Sequence, residues 1–390
     1  MFTRELSSTI RSCLSIFPAV AVLGPRQVGK TTLVKTLLSN YSKEVLYLDL
    51  EYFADQRRLQ QPDLFFQANQ DKLVVLDEIQ RMPELFPLLR SMIDQHRIPG
   101  RFILLGSASP DLLKNSSETL AGRVIYLELS PLTLGEVSPQ YTYREHWLKG
   151  GFPDALQAPD PTAWRFWMES FIQTYVQRDL PQLGLSAQPA VIRQLLTMLV
   201  SIHSGQLNYS DLSRSLDLTV TTIQQYIGFL ENAYLIRRLA PYFVNIGKRL
   251  VKAPKIFIRD SGLVHALADI SDYNSLTGSI LLGASWEGYV IQQIISRLPM
   301  NVTPYYYRTQ NGAELDLVLV KAGKPMVSVE IRYSNDPSLK RGNTEAISDL
   351  QTPFNLVVTP EAEGYWLRKD VKVCSIQSVW VELANAGVLE

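Results

Sequence analysis

One eight-residue stretch near the amino terminus constrains this chain more than any other part of its sequence. Residues 24–31, Gly-Pro-Arg-Gln-Val-Gly-Lys-Thr, match the pattern G-x-x-x-x-G-K-[ST], which is typical of a loop that binds phosphate groups. The apolar run at residues 19–23 predicts a buried strand before it, and residues 32–38 have the spacing of a helix. A strand, a glycine-rich turn and a helix in this order favour a P-loop nucleotide site over a chance match.

The motif predicts a role for each type of residue in the loop. Glycines let the backbone turn tightly, so that its N–H groups can face phosphate oxygens, and the start of a helix adds partial positive charge. Lys30 is expected to reach the β- and γ-phosphates, and the Thr31 hydroxyl to ligate Mg²⁺. The predicted cofactor-binding residues are Gly24, Pro25, Arg26, Gln27, Val28, Gly29, Lys30, Thr31 and Thr32.

A second motif follows at residues 72–78, where four apolar residues run into Asp77 and Glu78. This is the form of a Walker B strand, because a continuous apolar run suits a parallel strand that is covered on both faces. The acids then lie at the carboxyl end of the strand, where ligands bind in open α/β sheets. We expect Asp77 to hold Mg²⁺, mostly through water, and Glu78 to orient or deprotonate an attacking water. An ordinary acidic strand end is the alternative.

Two further polar residues are candidates for the same chemistry. Ser107 follows a strand predicted at residues 101–105, where its hydroxyl either contacts the γ-phosphate or the attacking water, or caps a helix that begins near residue 111. Arg123 precedes a strand predicted at residues 124–127, and either supplies charge to a γ-phosphate in its own or a neighbour's site or is a surface arginine. The predicted catalytic residues are therefore Glu78, Arg123 and Ser107.

These motifs together resemble a family of prokaryotic AAA+-type P-loop ATPases, and the resemblance covers nearly the whole chain. It implies an α/β parallel sheet, then a winged-helix segment, then an α+β domain with a PD-(D/E)XK nuclease-like fold. The role of that family is largely uncharacterised, so the resemblance does not settle the function. Besides the two motifs above, it rests on Gly-Ser at 106–107, Leu-Ala-Gly-Arg at 120–123, Gly-Gly-Phe-Pro at 150–153, Tyr-Val-Gln-Arg-Asp-Leu at 175–180, the basic residues of 248–255, and Asp-Ser-Gly-Leu at 260–263.

We therefore expect three regions: an AAA+-type ATPase domain over residues 1–150, a helical and winged-helix domain over 151–260, and a nuclease-like domain over 261–390. Prolines at 153, 159 and 161 mark the first boundary. An aromatic-rich helix is predicted next, from residue 163 to 179. Near its end, Arg178 and Asp179 either form an internal pair or leave Arg178 to reach the nucleotide.

The second predicted region contains the pattern of a winged helix-turn-helix. A short helix with Ser210 as its N-cap, a second helix over residues 220–233 and strands over 234–239 and 250–258 follow one another. In a DNA reader the second helix enters the major groove. Here its amino-terminal part offers threonines and glutamines but no lysine or arginine, which favours a structural or protein-contact role over DNA recognition.

In the third region, the resemblance implies a nuclease-like site. Asp316 and Glu330 match its two acids, Glu287 matches a helical acid, and Arg332 stands where the family pattern has a lysine. Arginine stays protonated and is a rigid fork, so it cannot serve as a neutral base. Because paired carboxylates repel unless a cation or proton lies between them, we expect weak Mg²⁺ or Mn²⁺ binding at most and little or no DNA cleavage. If Arg332 is the only departure, Arg332→Lys should raise metal-dependent nicking.

Composition limits the classes of function. Hydrophobic residues make up 46% and charged residues 19% of the 390, which indicates a folded chain, and the formal net charge of +0 gives no global attraction to nucleic acid. The two cysteines lie far apart, which fits a reducing cytosol. No apolar stretch approaches the ~18–20 residues of a membrane span, and the amino terminus does not read as a signal peptide. A zinc motif and a Ser/His/Asp triad are also absent from the sequence pattern. We therefore predict a cytoplasmic protein.

The sequence as a whole predicts Mg²⁺-dependent ATP binding and hydrolysis coupled to a conformational change, and it leaves action on or near DNA open. No Asn-Lys-x-Asp tetrapeptide follows the loop, which favours ATP over GTP. Two alternatives stay open: a nucleotide-dependent switch or scaffold that binds a protein partner, and an ATP-regulated DNA nuclease. The predicted ligands are ATP and Mg²⁺; a DNA or protein partner and a homo-oligomer are open, and no membrane partner is expected.

Overall fold

The computed structural model describes residues 2–39, 41–107, 120–182, 184–243, 250–334 and 336–389, and of residues 107, 177, 178 and 182 it describes the backbone alone. The amino-terminal region is built on a parallel sheet. Its strands are β1 (Ala19–Gly24), β2 (Val45–Asp49), β3 (Leu73–Asp77), β4 (Phe102–Ser107) and β5 (Val124–Glu128). They lie in the order β2-β3-β4-β1-β5, and each neighbouring pair is parallel.

Apolar side chains cover both faces of this sheet, which explains why its strands are continuous hydrophobic runs. On one face Val20 and Val22 share a core with Leu33 and Val34, and on the other face Ala21 lies in a second core. The predicted α/β parallel-sheet class is confirmed. The surrounding helices are α1 (Leu6–Leu14), α2 (Lys30–Leu38), α3 (Phe53–Arg58), α4 (Pro62–Ala68) and α5 (Leu85–Gln95), with a 3₁₀ turn at Ile79–Arg81.

Because the strands are parallel, their carboxyl ends meet at one edge of the sheet. The register pairs Gly24 with Ser107 and Asp49 with Asp77, so the ends of four strands lie side by side. Glu128 ends β5 opposite Leu23 on the same edge. We call this the carboxyl edge. The expected helix near residue 111 lies outside the described residues.

A helical region follows the sheet. Its helices are α6 (Leu134–Val137), α7 (Tyr143–Lys149), α8 (Pro153–Leu156), α9 (Pro161–Thr174), α10 (Leu180–Gln182), α11 (Pro189–Ser201), α12 (Tyr209–Leu216) and α13 (Val220–Asn232). The helix expected over residues 163–179 begins earlier, because Asp160 caps it and a proline occupies its first turn. Its last part, Tyr175–Asp179, is π-helical rather than α-helical.

Two expectations for this region need correction. Asn208, not Ser210, caps α12, since its side chain accepts hydrogen bonds from the backbone N–H groups of Ser210 and Asp211. The strand expected from residue 250 begins only at β7 (Lys255–Ile258), which pairs antiparallel with β6 (Ile236–Leu239). Leu250 instead forms an isolated bridge with Thr309 of the carboxyl-terminal region. Residues 248 and 249, which contribute to the family resemblance, lie outside the described residues.

The carboxyl-terminal region is a mixed sheet with helices on both faces. Its helices are α14 (Ser261–Leu267), α15 (Tyr273–Thr277), α16 (Leu282–Ser296), α17 (Arg341–Leu350) and α18 (Val379–Asn385); its strands are β8 (Val302–Arg308), β9 (Glu314–Lys321), β10 (Lys324–Ile331), β11 (Phe354–Thr359), β12 (Tyr365–Arg368) and β13 (Val371–Ser375).

The strands of this second sheet lie in the order β12-β13-β11-β10-β9-β8. The strands from β8 to β10 form an antiparallel meander, and β11 joins β10 in parallel after the intervening helix α17. One core includes Trp286 and Ile291 of α16 and a second includes Ala346 and Ile347 of α17, so both faces of the sheet are covered. Within the described residues, every helix is too short or too polar to cross a bilayer.

Candidate functional site

The phosphate-loop motif lies between the end of β1 and the start of α2. Gly24 closes the strand, and a Cβ at this position would lie 2.3 Å from the carbonyl oxygen of Leu129. Gly29 has a φ of 90°, a left-handed conformation that favours glycine. The two motif glycines are therefore required for different reasons, a close backbone approach at Gly24 and a backbone conformation at Gly29.

Lys30, the first residue of α2, is buried beneath the loop that precedes it. Its ammonium donates hydrogen bonds to the carbonyl oxygens of Gly24, at 3.1 Å, and Pro25, at 2.9 Å. Burial lowers the pKa of the Lys30 ammonium to about 8, although the carboxylates of Glu78 and Asp77 oppose this shift. The ammonium thus lies inside the loop, partnered by backbone oxygens that a phosphate oxygen could replace.

Asp77, the last residue of β3, lies directly beside the start of α2. The Thr31 hydroxyl donates to its Oδ2 at 2.7 Å, and the Tyr47 hydroxyl donates to the same oxygen. The backbone N–H of Glu78 donates to its other oxygen at 2.9 Å. The structure therefore brings together Thr31 and Asp77, the two predicted metal ligands. Sequence reasoning missed Tyr47. This residue lies two positions before Asp49 at the end of the same strand, so the side chains of both residues lie on the same face of the sheet.

Glu78 adopts a left-handed backbone conformation, with a φ of 54°. Such conformations are uncommon for residues other than glycine, and they concentrate at functional sites. Its carboxylate accepts a hydrogen bond from the Gln80 side chain. Its charge also acts on Lys30 and Arg26: it opposes the burial that lowers the pKa of Lys30, and it contributes to the raised pKa of Arg26. Glu78 therefore faces the loop, where its carboxylate has a side-chain partner.

Arg4 supports the loop from before α1, and nothing in the sequence marked it. Its side chain is buried, and its guanidinium donates to the carbonyl oxygens of Val28, at 2.7 Å, and Ser130, at 2.6 Å. The same group pairs with Glu136 at 3.0 Å. One guanidinium thus joins the phosphate loop to the segment after β5. Only the tertiary structure reveals this, because the contacts span more than 100 residues of sequence for two of the three partners.

Arg26 connects the loop to the helical region. Its Nη1 lies 2.7 Å from Oδ2 of Asp179, which is buried at the end of the π-helical turn, and its Nη2 lies 3.4 Å from Glu51. Its Nε is buried, and within the described part of the chain it has no hydrogen-bond partner. Asp179 thus contacts the phosphate loop itself, whereas the side chain of Arg178 lies outside the described residues.

The structure places the other two predicted catalytic residues differently. Ser107 ends β4 opposite Gly24, on the carboxyl edge, but its side chain lies outside the described residues. Arg123 precedes β5, whose first residue is aligned with Ala19 at the start of β1. It is therefore at the opposite edge of the sheet, where its guanidinium pairs with both oxygens of Asp94, at 2.6 and 2.8 Å. This position contradicts a role for Arg123 in the site of its own chain.

The four predicted nuclease-site residues lie close together in the carboxyl-terminal region, with Glu287 on α16 and the other three on or directly after β9 and β10. Asp316 is on β9 and accepts the backbone N–H of Ile331, at the end of β10, at 2.9 Å. Glu330 pairs with Arg332 and accepts a 2.9 Å hydrogen bond from Asn343. Burial and the carboxylate of Asp316 raise the pKa of Glu330, and the same two causes raise that of Glu287. The carboxylate of Asp316 thus acts on both glutamates, which indicates that the three acids share one environment.

Lys255 and Glu314 also belong to this cluster, and sequence reasoning did not predict either of them for the site. The ammonium of Lys255 lies 2.9 Å from Glu287, 3.0 Å from Glu314 and 3.3 Å from Asp316. Lys255 belongs to β7, so its contact with Asp316 spans 61 residues. The prediction for Arg332→Lys was conditional on Arg332 being the only departure from the nuclease pattern, and it did not consider an ammonium among the acids. Within the described residues, no group of three or more histidine, cysteine or carboxylate side chains is arranged to hold a metal.

The comparisons with known proteins agree with the description of the amino-terminal region as a nucleotide-binding domain. Residues 17–138 match the family model of the AAA domain. Residues 140–274 and 282–379 match two models, each described as a domain of unknown function (DUF8612 and DUF4143). Together with the parallel sheet and its phosphate loop, these matches define an AAA-type P-loop ATPase domain followed by two domains of unknown function.

Relatives that match nearly the whole chain show the family to which the protein belongs. Uncharacterized proteins of Mycobacterium tuberculosis and Mycobacterium bovis are each 42% identical to it over 360 residues, which cover 92% of this chain and 80% of each relative. The chain belongs to the same family as these two mycobacterial proteins. Among solved structures, a Walker-type ATPase of Pyrococcus abyssi is similar to 69% of this chain and 96% of its own, at 16% identity and a TM-score of 0.45.

Proposed function

We propose that this protein binds ATP with Mg²⁺ at the carboxyl edge of its parallel sheet and hydrolyses the nucleotide. The observation that carries the proposal is the 2.7 Å contact between Thr31 of the phosphate loop and Asp77 of the Walker B strand. It joins two motifs that are 46 residues apart in sequence. Hydroxyl and carboxylate oxygens are the ligands that Mg²⁺ prefers.

The residues around the loop fit an anionic ligand. Lys30 holds its ammonium on two carbonyl oxygens of the loop, and the buried Nε of Arg26 is a donor without a partner in the described part of the chain. Phosphate oxygens accept hydrogen bonds from both types of group. When bound, Mg²⁺ would neutralise charge on the phosphates. Thr31 and Asp77 are the residues that would hold it, and Glu78 is the carboxylate that would take a proton from water.

The contact between Arg26 and Asp179 suggests how occupancy of the loop reaches the rest of the chain. A triphosphate would compete with Asp179 for the guanidinium, since both are anions. Asp179 lies in the π-helical turn that leads into the helical region, and such turns are frequent at functional sites. We infer that nucleotide binding shifts this turn, which is the conformational change that hydrolysis would reset.

The experiment that tests this function measures phosphate release by the purified chain with Mg²⁺ and ATP, with and without duplex DNA. We expect steady ATP turnover that EDTA abolishes. A rate that DNA increases would support a role on DNA, and an unchanged rate would favour a protein partner. No turnover above that of a Lys30→Ala control would contradict the proposed hydrolysis.

One observation favours the second candidate, a nucleotide-held switch that hydrolyses slowly. The Glu78 carboxylate already accepts a hydrogen bond from the Gln80 side chain, and this contact restrains its orientation toward an attacking water. Gln80→Ala should free the carboxylate and raise the ATPase rate if this contact restrains Glu78. Phosphate release at a matched ATP concentration measures the change. A rate equal to that of the wild type would remove the contact as a reason for slow turnover.

Arg123 can contribute to hydrolysis only in the site of a neighbouring copy, given its position at the opposite edge of the sheet. We propose a homo-oligomer in which it does so. An equal mixture of Arg123→Ala and Glu78→Gln proteins should then regain part of the activity that each lacks alone, because the mixed sites contain both residues. Phosphate release measures this recovery. Light scattering that shows a strict monomer with full ATPase activity would contradict the trans role.

A further inference from the structure

A buried ammonium lies among the carboxylates of the carboxyl-terminal region. Lys255 is 3% exposed, and it is the first residue of β7, a strand that pairs with β6 outside the carboxyl-terminal sheet. Its Nζ contacts Glu287 of α16 and both Glu314 and Asp316 of β9. The ring of Tyr306 lies on another side, 5.6 Å from the ammonium to its centroid. The strand thus carries a cation into an acidic cluster built by other elements.

Two of these contacts, with Glu287 and Asp316, are hydrogen bonds, and the contact with Glu314 is an ion pair. An ammonium has three N–H donors, and the three carboxylate oxygens lie 2.9, 3.0 and 3.3 Å from Nζ. Oxygen ligands lie at about 2.0–2.1 Å from Mg²⁺ and about 2.3–2.6 Å from Ca²⁺. The carboxylates are therefore spaced for the ammonium that they hold.

The charges of the cluster come close to balance without a metal, since four acids face three cations. Its acids are Glu287, Glu314, Asp316 and Glu330. Besides Lys255, two guanidiniums face them: Arg308 lies 3.0 Å from Glu314, and Arg332 pairs with Glu330. If Lys255 were absent, four carboxylates would face two guanidiniums, and the excess of two negative charges would equal the charge of one divalent cation.

We propose that the Lys255 ammonium occupies the cation position of this carboxylate cluster, so that the protein has a latent divalent-cation site that Lys255 keeps filled. The site would accept Mg²⁺ or Mn²⁺ only when the ammonium leaves, because ion and ammonium need the same three oxygens. This inference is independent of ATP hydrolysis. It also gives a physical reason for the expected weakness of metal binding and DNA cleavage in the wild-type protein.

The experiment compares Mn²⁺ binding, followed by electron paramagnetic resonance without nucleotide, in the wild type and in Lys255→Ala. The variant should bind Mn²⁺ at least about tenfold more tightly, since its three carboxylates lack their cation. Lys252→Ala, which removes an exposed lysine three residues earlier, is the matched control and should behave as the wild type. Adding Asp316→Asn to Lys255→Ala should abolish the gain, which assigns the ion to this cluster.

Thermal unfolding gives a second readout, which does not require that Mn²⁺ fully occupy the carboxylate cluster. Removing one partner of a buried ion pair strongly destabilises a protein, so Lys255→Ala should lower the Tm in EDTA by roughly 5 °C or more. Mn²⁺ should restore part of this loss in the variant and leave the wild-type Tm unchanged. Lys255→Met keeps the apolar stem of the side chain and serves if the alanine variant does not fold.

Two results would overturn the proposal. One is an unchanged Mn²⁺ affinity in a folded Lys255 variant. The other is Mn²⁺ binding by the wild-type protein that Asp316→Asn abolishes, because the ion would then share the cluster with Lys255. The second result can be obtained even if every Lys255 variant fails to fold. Failure of the ATPase assay would leave both outcomes unaffected.

Discussion

Replacing Lys30 with alanine is expected to remove measurable ATP binding. The ammonium lies between two carbonyl oxygens of the phosphate loop, and the motif predicts that it reaches the β- and γ-phosphates. A hydrogen bond to a charged group contributes about 1.5–3 kcal/mol. Loss of two such bonds from the ammonium to phosphate oxygens should therefore weaken ATP binding on the order of 100-fold or more. Equilibrium titration with a fluorescent ATP analogue measures the change.

Controls separate a lost ligand contact from a collapsed loop. Lys369→Ala removes an exposed lysine from the turn between β12 and β13 and should bind ATP as the wild type does. Lys30→Met keeps most of the buried stem and should unfold near the wild-type Tm while still failing to bind. If a folded Lys30 variant kept wild-type affinity, the loop would not be the nucleotide site.

Replacing Glu78 with glutamine is expected to have a different effect, with ATP bound but not hydrolysed. Asp77, Thr31 and Lys30 are unchanged in this variant, so the groups that hold the phosphates and the metal remain. The amide cannot take a proton from water, and general-base catalysis contributes about 10²–10⁴-fold in rate. We expect single-turnover hydrolysis to slow by that order while the Kd for ATP stays within about threefold of the wild-type value.

Glu84→Gln is the matched control for this variant. Glu84 is an exposed carboxylate six residues further along the chain, just before α5, and the same change there should leave the rate unaltered. If Glu78→Gln hydrolysed ATP at the wild-type rate, Glu78 would have no role as a base. If it also lost ATP binding, the variant would instead report damage to the site.

The sequence predicted the parts of the site whose contacts are local. Residues 24–31 predicted a turn between a strand and a helix, and the acids at 77–78 predicted a strand end. Parallel strands then bring their carboxyl ends to one edge, which explains why Thr31 and Asp77 meet. The sheet position of Arg123 follows from the same rule, because a residue that precedes a parallel strand lies at the amino edge.

The remaining contacts depend on the tertiary fold and carry no local signal. Arg4 contacts Val28 and Ser130 from the segment before α1, and Asp179 of the helical region contacts Arg26 of the phosphate loop. Lys255 meets Asp316 only because β7 lies beside the second sheet. An isolated arginine or lysine in a sequence does not reveal which distant carboxylate or carbonyl it will contact. Boundaries such as the start of β7 were misplaced for the same reason, since Leu250 pairs with a distant residue.

The central claim, that the carboxyl edge binds and hydrolyses ATP through Lys30 and Glu78, is tested most directly by one measurement on three proteins. Wild type, Lys30→Ala and Glu78→Gln are each incubated with Mg²⁺ and γ-labelled ATP, desalted, and assayed for retained ATP and released phosphate. We expect released phosphate from the wild type, neither signal from Lys30→Ala, and retained ATP without phosphate from Glu78→Gln. Equal phosphate release by all three proteins would contradict it.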